Sequence, residues 1–480
     1  MSASGGLTGR PARPEAVVAA GHGNHTMSLP PQVRRTPRPF PVTLHTVVAI
    51  AVPMTLAYLS TPLIGITDVA VIGQLGDAAL IGAVALGALL FDFFGATFNF
   101  LRSGTTGLVA QAMGAEDREA EAMVLWRALI VAALAGALMV ALQTPILEGF
   151  LALMGASDAV SAATRDYYTV RVYAMPLMFA NYAILGWLLG LGRARAGLVL
   201  QLIMALVNVA GSMGLVMGLG YGMGGVAAAS VLAEAATLAA GGVLVARALG
   251  RRPRPALADV MERAAFLRMM TVNRDILIRS MVLLGTFSFF TAMGARYGDV
   301  ILAANALLMN FFLIGGYFLD GLATASEQLA GRAVGANYRP AFDRAVRFSL
   351  VTGGALAGGL SLLALLFGDH LIYALTTAPD VRAAALVYIG WAALTPVSGV
   401  LAFIMDGVYI GATWSAMMRN MMLLSALAFF AVWAVAAPLM GNHGLWLALL
   451  VFLGARGVTL LAATPPRARA TFGPTPLGAA

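Results

Sequence analysis

TVVAIAVPMTLAYLSTPLIGITDV, residues 46–69, is an apolar run of 24 residues whose one formal charge is Asp68. A helix rises about 1.5 Å per residue, so about 20 apolar residues cross a hydrocarbon core of about 30 Å. Its apolar residues do not alternate with period two, as a barrel strand would require. Eleven more stretches of this kind follow, near 77–101, 122–143, 168–190, 196–217, 224–247, 275–296, 299–325, 344–367, 384–410, 416–438 and 443–463. Of the 480 residues 60% are hydrophobic and 11% charged, with mean hydropathy +0.84. A soluble domain is about a quarter charged, and this chain has too few polar side chains to coat a water-soluble globule. The sequence therefore predicts an all-α polytopic membrane protein of 12 transmembrane helices. It excludes a soluble enzyme, a nucleic-acid binder and a secreted scaffold.

The chain has no Cys, and no two of its five His stand three or four apart on one helix. No disulfide framework, thiolate site or metal centre is expected. Residues 1–42 are rich in Pro, Gly and Arg and read as a disordered basic tail. The segment from Pro465, with Pro466, Arg467 and Arg469, reads as a second one. All basic side chains are Arg. With the N-terminal tail placed in the cytoplasm, only Arg165, Arg171, Arg296 and Arg382 fall at the outer face. The densest cluster (Arg247, Arg251, Arg252, Arg254, Arg263 and Arg268) falls inside. That bias puts both termini in the cytoplasm and makes the net charge of +8 a topology signal, with no nucleic-acid partner implied.

The chain repeats itself at an offset of about 220 residues. ALLFDFF at 88–94 resembles ALLMNFF at 306–312, and Gly186/Gly190 resemble Gly407/Gly411. Duplication of a six-helix unit gives two lobes entering from the same side, related by a pseudo-two-fold axis along the membrane normal, with a cavity between them. The expected divisions are a cytoplasmic tail (1–42), an N-lobe (43–249), a cytoplasmic inter-lobe linker (250–272), a C-lobe (273–464) and a C-terminal tail (465–480).

Ionisable groups inside spans are costly, so each needs a partner or a task. Asp68, Asp92, Asp320, Glu327 and Asp406 qualify, with Glu234 a lesser candidate. Asp68 suits a carboxyl that exchanges a proton or Na⁺ as a cavity opens and closes. Its place near the helix end equally suits an aspartate stabilised by the following turn. Pro53 removes one backbone hydrogen bond and marks a bend point in the same helix. Asp320 and Glu327 stand two turns apart on one face, where Glu327 can also pair with Arg332. Asp406 can face the same interior, and Asp92 can pair across the cavity. Asn181 and Asn208 offer amides at membrane depth, for inter-helix bonds or for substrate. With no Lys there is no phosphate-loop lysine, so uphill transport would draw on an ion gradient. No nucleophile–base arrangement points to an enzyme.

Val52-Pro53-Met54, with Asp68-Val69-Ala70-Val71-Ile72-Gly73-Gln74-Leu75-Gly76, resembles the opening signature of the multidrug and toxic compound extrusion (MATE) family. Asn273-Arg274-Asp275-Ile276, Leu319-Asp320-Gly321 and the stretch Asp406–Thr413 resemble its DNA-damage-inducible F branch. The likeness runs from about 44 to 463. It implies a two-lobed antiporter of the bacterial inner membrane that exports varied, often cationic, organic compounds against H⁺ or Na⁺. It implies no cofactor, and small molecules and lipid as the partners of a monomer. By the same resemblance Asp68 carries the ion, Pro53 marks the bend, and Asn208 and Asn181 line the N-lobe pocket. Where the family commonly has a second aspartate, this chain has Ser212, so Asp68 would act alone or with Asp92. The rival reading is a flippase or exporter of a lipid-linked or polysaccharide precursor. It needs a basic cavity, for which Arg102 and Arg279 are the candidates.

Overall fold

Apolar runs of this length satisfy their backbone N–H and C=O groups within one segment only as helices. The computed structural model describes residues 36–250 and 255–473. The first lobe holds α1 (Leu44–Gly73), α2 (Ala78–Phe98), α3 (Phe100–Gly114), α4 (Arg118–Ala141) and the short α5 (Gln143–Met154). It continues with α6 (Asp158–Arg171), α7 (Ala174–Gly190), α8 (Ala194–Ser212), which passes into a π-helical turn over Met213–Gly218, and α9 (Gly222–Leu249). After α10 (Leu257–Val260) come α11 (Arg263–Ala295), α12 (Asp299–Gly335), α13 (Arg339–Leu375), α14 (Pro379–Gly411), α15 (Ser415–Met440) and α16 (Asn442–Phe472).

Among the described residues, 11 spans are long and apolar enough to cross a bilayer, with α2 and α3 joined into one. A twelfth is the pair α6 and α7, bent by 51°. The bend falls just before Pro176, the third residue of α7. There its missing N–H costs nothing, and the two residues at the junction, Val172 and Tyr173, keep right-handed helical angles.

The duplication appears as matched contacts. A Cβ on Gly186 of α7 would stand 2.3 Å from the carbonyl oxygen of Arg102 on α3. A Cβ on Gly407 of α14 would stand 2.2 Å from that of Ala323 on α12. The offset is 221 residues for both partners (407 against 186, 323 against 102). Where the lobes meet, a Cβ on Gly114 would stand 2.0 Å from Arg332 O, and one on Gly335 1.9 Å from Gln111 O. These partners differ by the same 221 residues, so the contact is reciprocal, as a two-fold interface requires.

This seam lies toward the face where α1 begins. Gln111 Nε2 donates to Gly411 O at 2.9 Å and Thr413 Oγ1 at 3.0 Å, and Tyr58 OH meets Thr324 Oγ1 at 2.9 Å. Backbone-to-backbone contact joins the lobes on that side. On the opposite half α1 and α12 leave Leu63, Ile66, Leu313 and Ile314 exposed.

Both tails are shorter than the composition suggests. Phe40 and Val42 are buried, Arg38 N donates to Ala336 O at 2.9 Å, and the Arg332 guanidinium lies 4.1 Å from the Phe40 ring centre. Order therefore begins before residue 42, and the expected tail over 1–35 lies outside the described residues. At the other end α16 continues through Pro465 and Pro466 to Phe472. Burial of Ala468 and the ring contact of Phe472 with Phe342 offset the two missing N–H groups. The remainder of that tail, 474–480, also lies outside the described residues. The expected linker is partly helix: α11 starts at Arg263, and Arg127 of α4 donates to Val260 O and Asp259 O at 2.7 and 2.9 Å.

Candidate ion and substrate site

Asp68 stands near the end of α1 and is 3% exposed. The structure packs α8 against it so that the Ser212 hydroxyl donates to Asp68 Oδ1 at 2.8 Å. The position that resembles a second family aspartate thus holds a hydrogen-bond donor to the first. One turn earlier on α8, Asn208 is buried, and its Nδ2 donates to Ser230 Oγ of α9 at 3.2 Å. Asn181 of α7 donates from Nδ2 to Glu234 Oε2 at 2.6 Å and to Glu234 O at 2.9 Å. Each of these two amides keeps its Oδ1 buried without a protein partner.

Ser230 and Glu234, the partners of these amides, line a cavity of ≈ 230 Å³. Its wall includes Asp92 and Gly95 of α2, Arg171 at the end of α6, Tyr182 of α7, and Ser230 and Glu234 of α9. A Cβ on Gly95 would stand 3.2 Å from the Tyr182 hydroxyl, so a larger residue there would fill the space. The charge of Arg171 acts on Asp68, Asp92 and Glu234 together. Its guanidinium lies 4.4 Å from the ring centre of Phe91 and bonds the Tyr167 hydroxyl.

The acidic groups of the second lobe do not join this cavity. Asp406 of α14 is buried between Arg279 of α11 and Arg456 of α16, with Arg456 Nη2 at 2.6 Å from Oδ2. Glu327 does not pair with Arg332, which instead covers Phe40; it faces Arg102 of α3, 3.9 Å away across the lobe boundary. Asp320 is half-buried within electrostatic reach of Arg102, Arg279 and Arg456. The reason is chain crossing: helices far apart in sequence bring each of these carboxylates a cation. Pro53 lies inside α1, which carries a second proline at Pro62.

Of the sequence-derived candidates, Asp92 lines the cavity; Asn208 and Asn181 reach it through Ser230 and Glu234, Asp68 is bonded to Ser212 outside its wall, and Asp320, Glu327 and Asp406 form a separate charged group. Arg171, Glu234 and Tyr182 gain weight they did not have. Arg171 had a signal, since it falls inside the apolar stretch 168–190, but the charge count placed it at the outer face. Among the described residues no group of three His, Cys, Asp or Glu is arranged to hold a metal ion.

Two six-helix lobes that repeat one another, a seam on one face and a charged cavity at membrane depth define a secondary-transporter architecture. The MatE family model matches residues 53–213 and 276–435, and the chain belongs to that family. It is 39% identical over 414 residues to the DNA damage-inducible protein F of Escherichia coli (strain K12), covering 86% of this chain and 90% of that one. It is 25% identical over 440 residues to a protein of Chromobacterium violaceum named "Probable multidrug resistance protein NorM", covering 86% and 92%. A solved MATE structure in the bent conformation superposes with TM-score 0.82 at 17% identity, covering 89% of this chain and 95% of that one.

Proposed function

We propose that the protein is an ion-coupled exporter of organic compounds in a bacterial inner membrane, with Asp68 as the ion-binding group. The observation that carries this reading is a buried carboxylate, held by the Ser212 hydroxyl, in the same lobe as a charged cavity, within a two-lobed bundle joined by a backbone seam on one face. The Arg-rich connections support a cytoplasmic location for the joined face and for both termini, so the conformation described is the outward-facing one. In that state Asp68 takes up H⁺ or Na⁺ from outside, α1 bends near Pro53, and the cargo leaves. The loaded protein then reopens inward by rocking the lobes 43–249 and 273–464 about the glycine seam, and releases the ion. Coupling is the difference in affinity between the two states. One chain contains the whole path, so a monomer suffices, and the ion gradient replaces any cofactor. The relatives named for multidrug resistance support organic cargo.

A flippase for lipid-linked precursors is less well supported. Its candidate basic residues, Arg102 and Arg279, are engaged with Glu327 and Asp406. The test is dye efflux from proteoliposomes under a proton gradient and, separately, a sodium gradient. Asp68→Asn abolishes efflux under the coupling gradient while its amount in the membrane stays near normal. Full-rate efflux by that variant would remove Asp68 from the mechanism.

A further inference from the structure

Arg171 is set apart from the other arginines at membrane depth. Arg102, Arg279 and Arg456 each meet a carboxylate, Glu327 for the first and Asp406 for the other two. Among the described residues no carboxylate lies within ion-pair distance of Arg171. It bonds the Tyr167 hydroxyl and stands over the Phe91 and Tyr167 rings, at 4.4 and 5.2 Å from their centres. A guanidinium has five N–H donors in one plane, so most of its donor capacity remains for a further partner. It is half-buried, and its side chain forms part of the wall of the ≈ 230 Å³ cavity. The same wall holds two carboxyl groups, Asp92 and Glu234, together with Tyr182.

A pocket selecting cations alone would gain nothing from a fixed cation in its wall, which repels them. A pocket for anions alone would gain nothing from Asp92 and Glu234. We infer that the first-lobe cavity has two poles and takes organic compounds that carry an anionic group together with a cationic one. The anion engages Arg171, and the cationic end lies toward Asp92 and Glu234. Arg171 is then a specificity-determining residue, because a planar guanidinium meets a carboxylate through two parallel hydrogen bonds. The inference rests on the proposed export function in taking this cavity as the cargo site.

A matched pair of dyes tests it: rhodamine 110, with a free carboxylate, and rhodamine 123, its methyl ester, titrated by fluorescence anisotropy into the full chain in nanodiscs. The unaltered protein should bind both. R171Q should raise the Kd of the carboxylate dye by about tenfold, the scale of one charge-assisted hydrogen bond, and leave the ester unchanged or tighter. R171K, which keeps the charge and loses the fork, should fall between. Retained ester binding shows that R171Q is folded. Equal weakening of both dyes, or no change in either, would overturn the assignment of Arg171. Binding of neither dye to the unaltered protein would overturn it too, by removing the cavity as a cargo site.

Discussion

A methyl group added at Gly335 should unlock the seam. Gly335 lies in the last turn of α12, and its ideal Cβ would stand 1.9 Å from Gln111 O. An ordinary contact is about 3.4 Å, so the backbones of α3 and α12 must part by about 1.5 Å for Gly335→Ala to fit. Both neighbours are main chain, and neither can swing aside. Overpacking of this kind costs about 1–3 kcal/mol, against a local gain of up to about 1 kcal/mol from replacing helical Gly by Ala. Because the strain exists only while the lobes touch, the net cost falls on the closed-seam state. About 1.4 kcal/mol shifts a two-state ratio tenfold, so the seam-open population should rise by roughly that factor. The chain has no Cys, so spin labels on Glu116→Cys and Tyr338→Cys would be the only ones present. Double electron–electron resonance should then show a longer-distance component growing in Gly335→Ala, with slower efflux. An unchanged distance distribution with a raised melting temperature would mean that helix propensity dominates and that the seam is not a switch.

Ser212→Ala removes a donor to a buried carboxylate, an interaction worth about 1.5–3 kcal/mol. Dye efflux at a fixed gradient should fall by on the order of tenfold, and Ser212→Thr should restore most of it; equal loss in both would point to packing. Arg456→Met strips one of two cations from buried Asp406 and should cost about 3–5 kcal/mol, seen as a lower melting temperature in detergent. Adding Asp406→Asn should recover a large part of that loss, and a purely additive double mutant would contradict a coupled pair. Outside the spans, the hydrogen bond from Arg165 lowers the pKa of Glu148. Stability from that pair is present above the unfolded carboxyl value and is lost as pH falls through the folded one. Both side chains are about half exposed, so Glu148→Gln should leave the melting temperature at neutral pH unchanged.

Much of the site was legible before any coordinates, for unequal reasons. Asp68 stood out because a lone charge in an apolar helix is expensive wherever the helix goes. Asn208 and Asn181 stood out through family likeness, and the structure places them on facing helices around Ser230 and Glu234. The cavity role of Arg171 was not legible, because counting charges by loop says nothing of what a side chain lines. The tails were overextended because Pro and Arg composition says nothing about a nearby surface. Phe40 is ordered by Arg332, and Phe472 by Phe342.

Taken alone, the sequence determined the number of spans, the all-helical class and the duplication. Each depends on local properties: apolar length against bilayer thickness, backbone bonds closed within one segment, and a repeat offset read along the chain. Tertiary structure alone decided which charges neutralise one another and which remain open. Asp406 lies 127 positions from Arg279, Ser212 144 from Asp68 and Glu234 53 from Asn181. A carboxylate's chemistry depends on what stands within a few ångströms of it, and only the crossing of helices brings such distant positions so close.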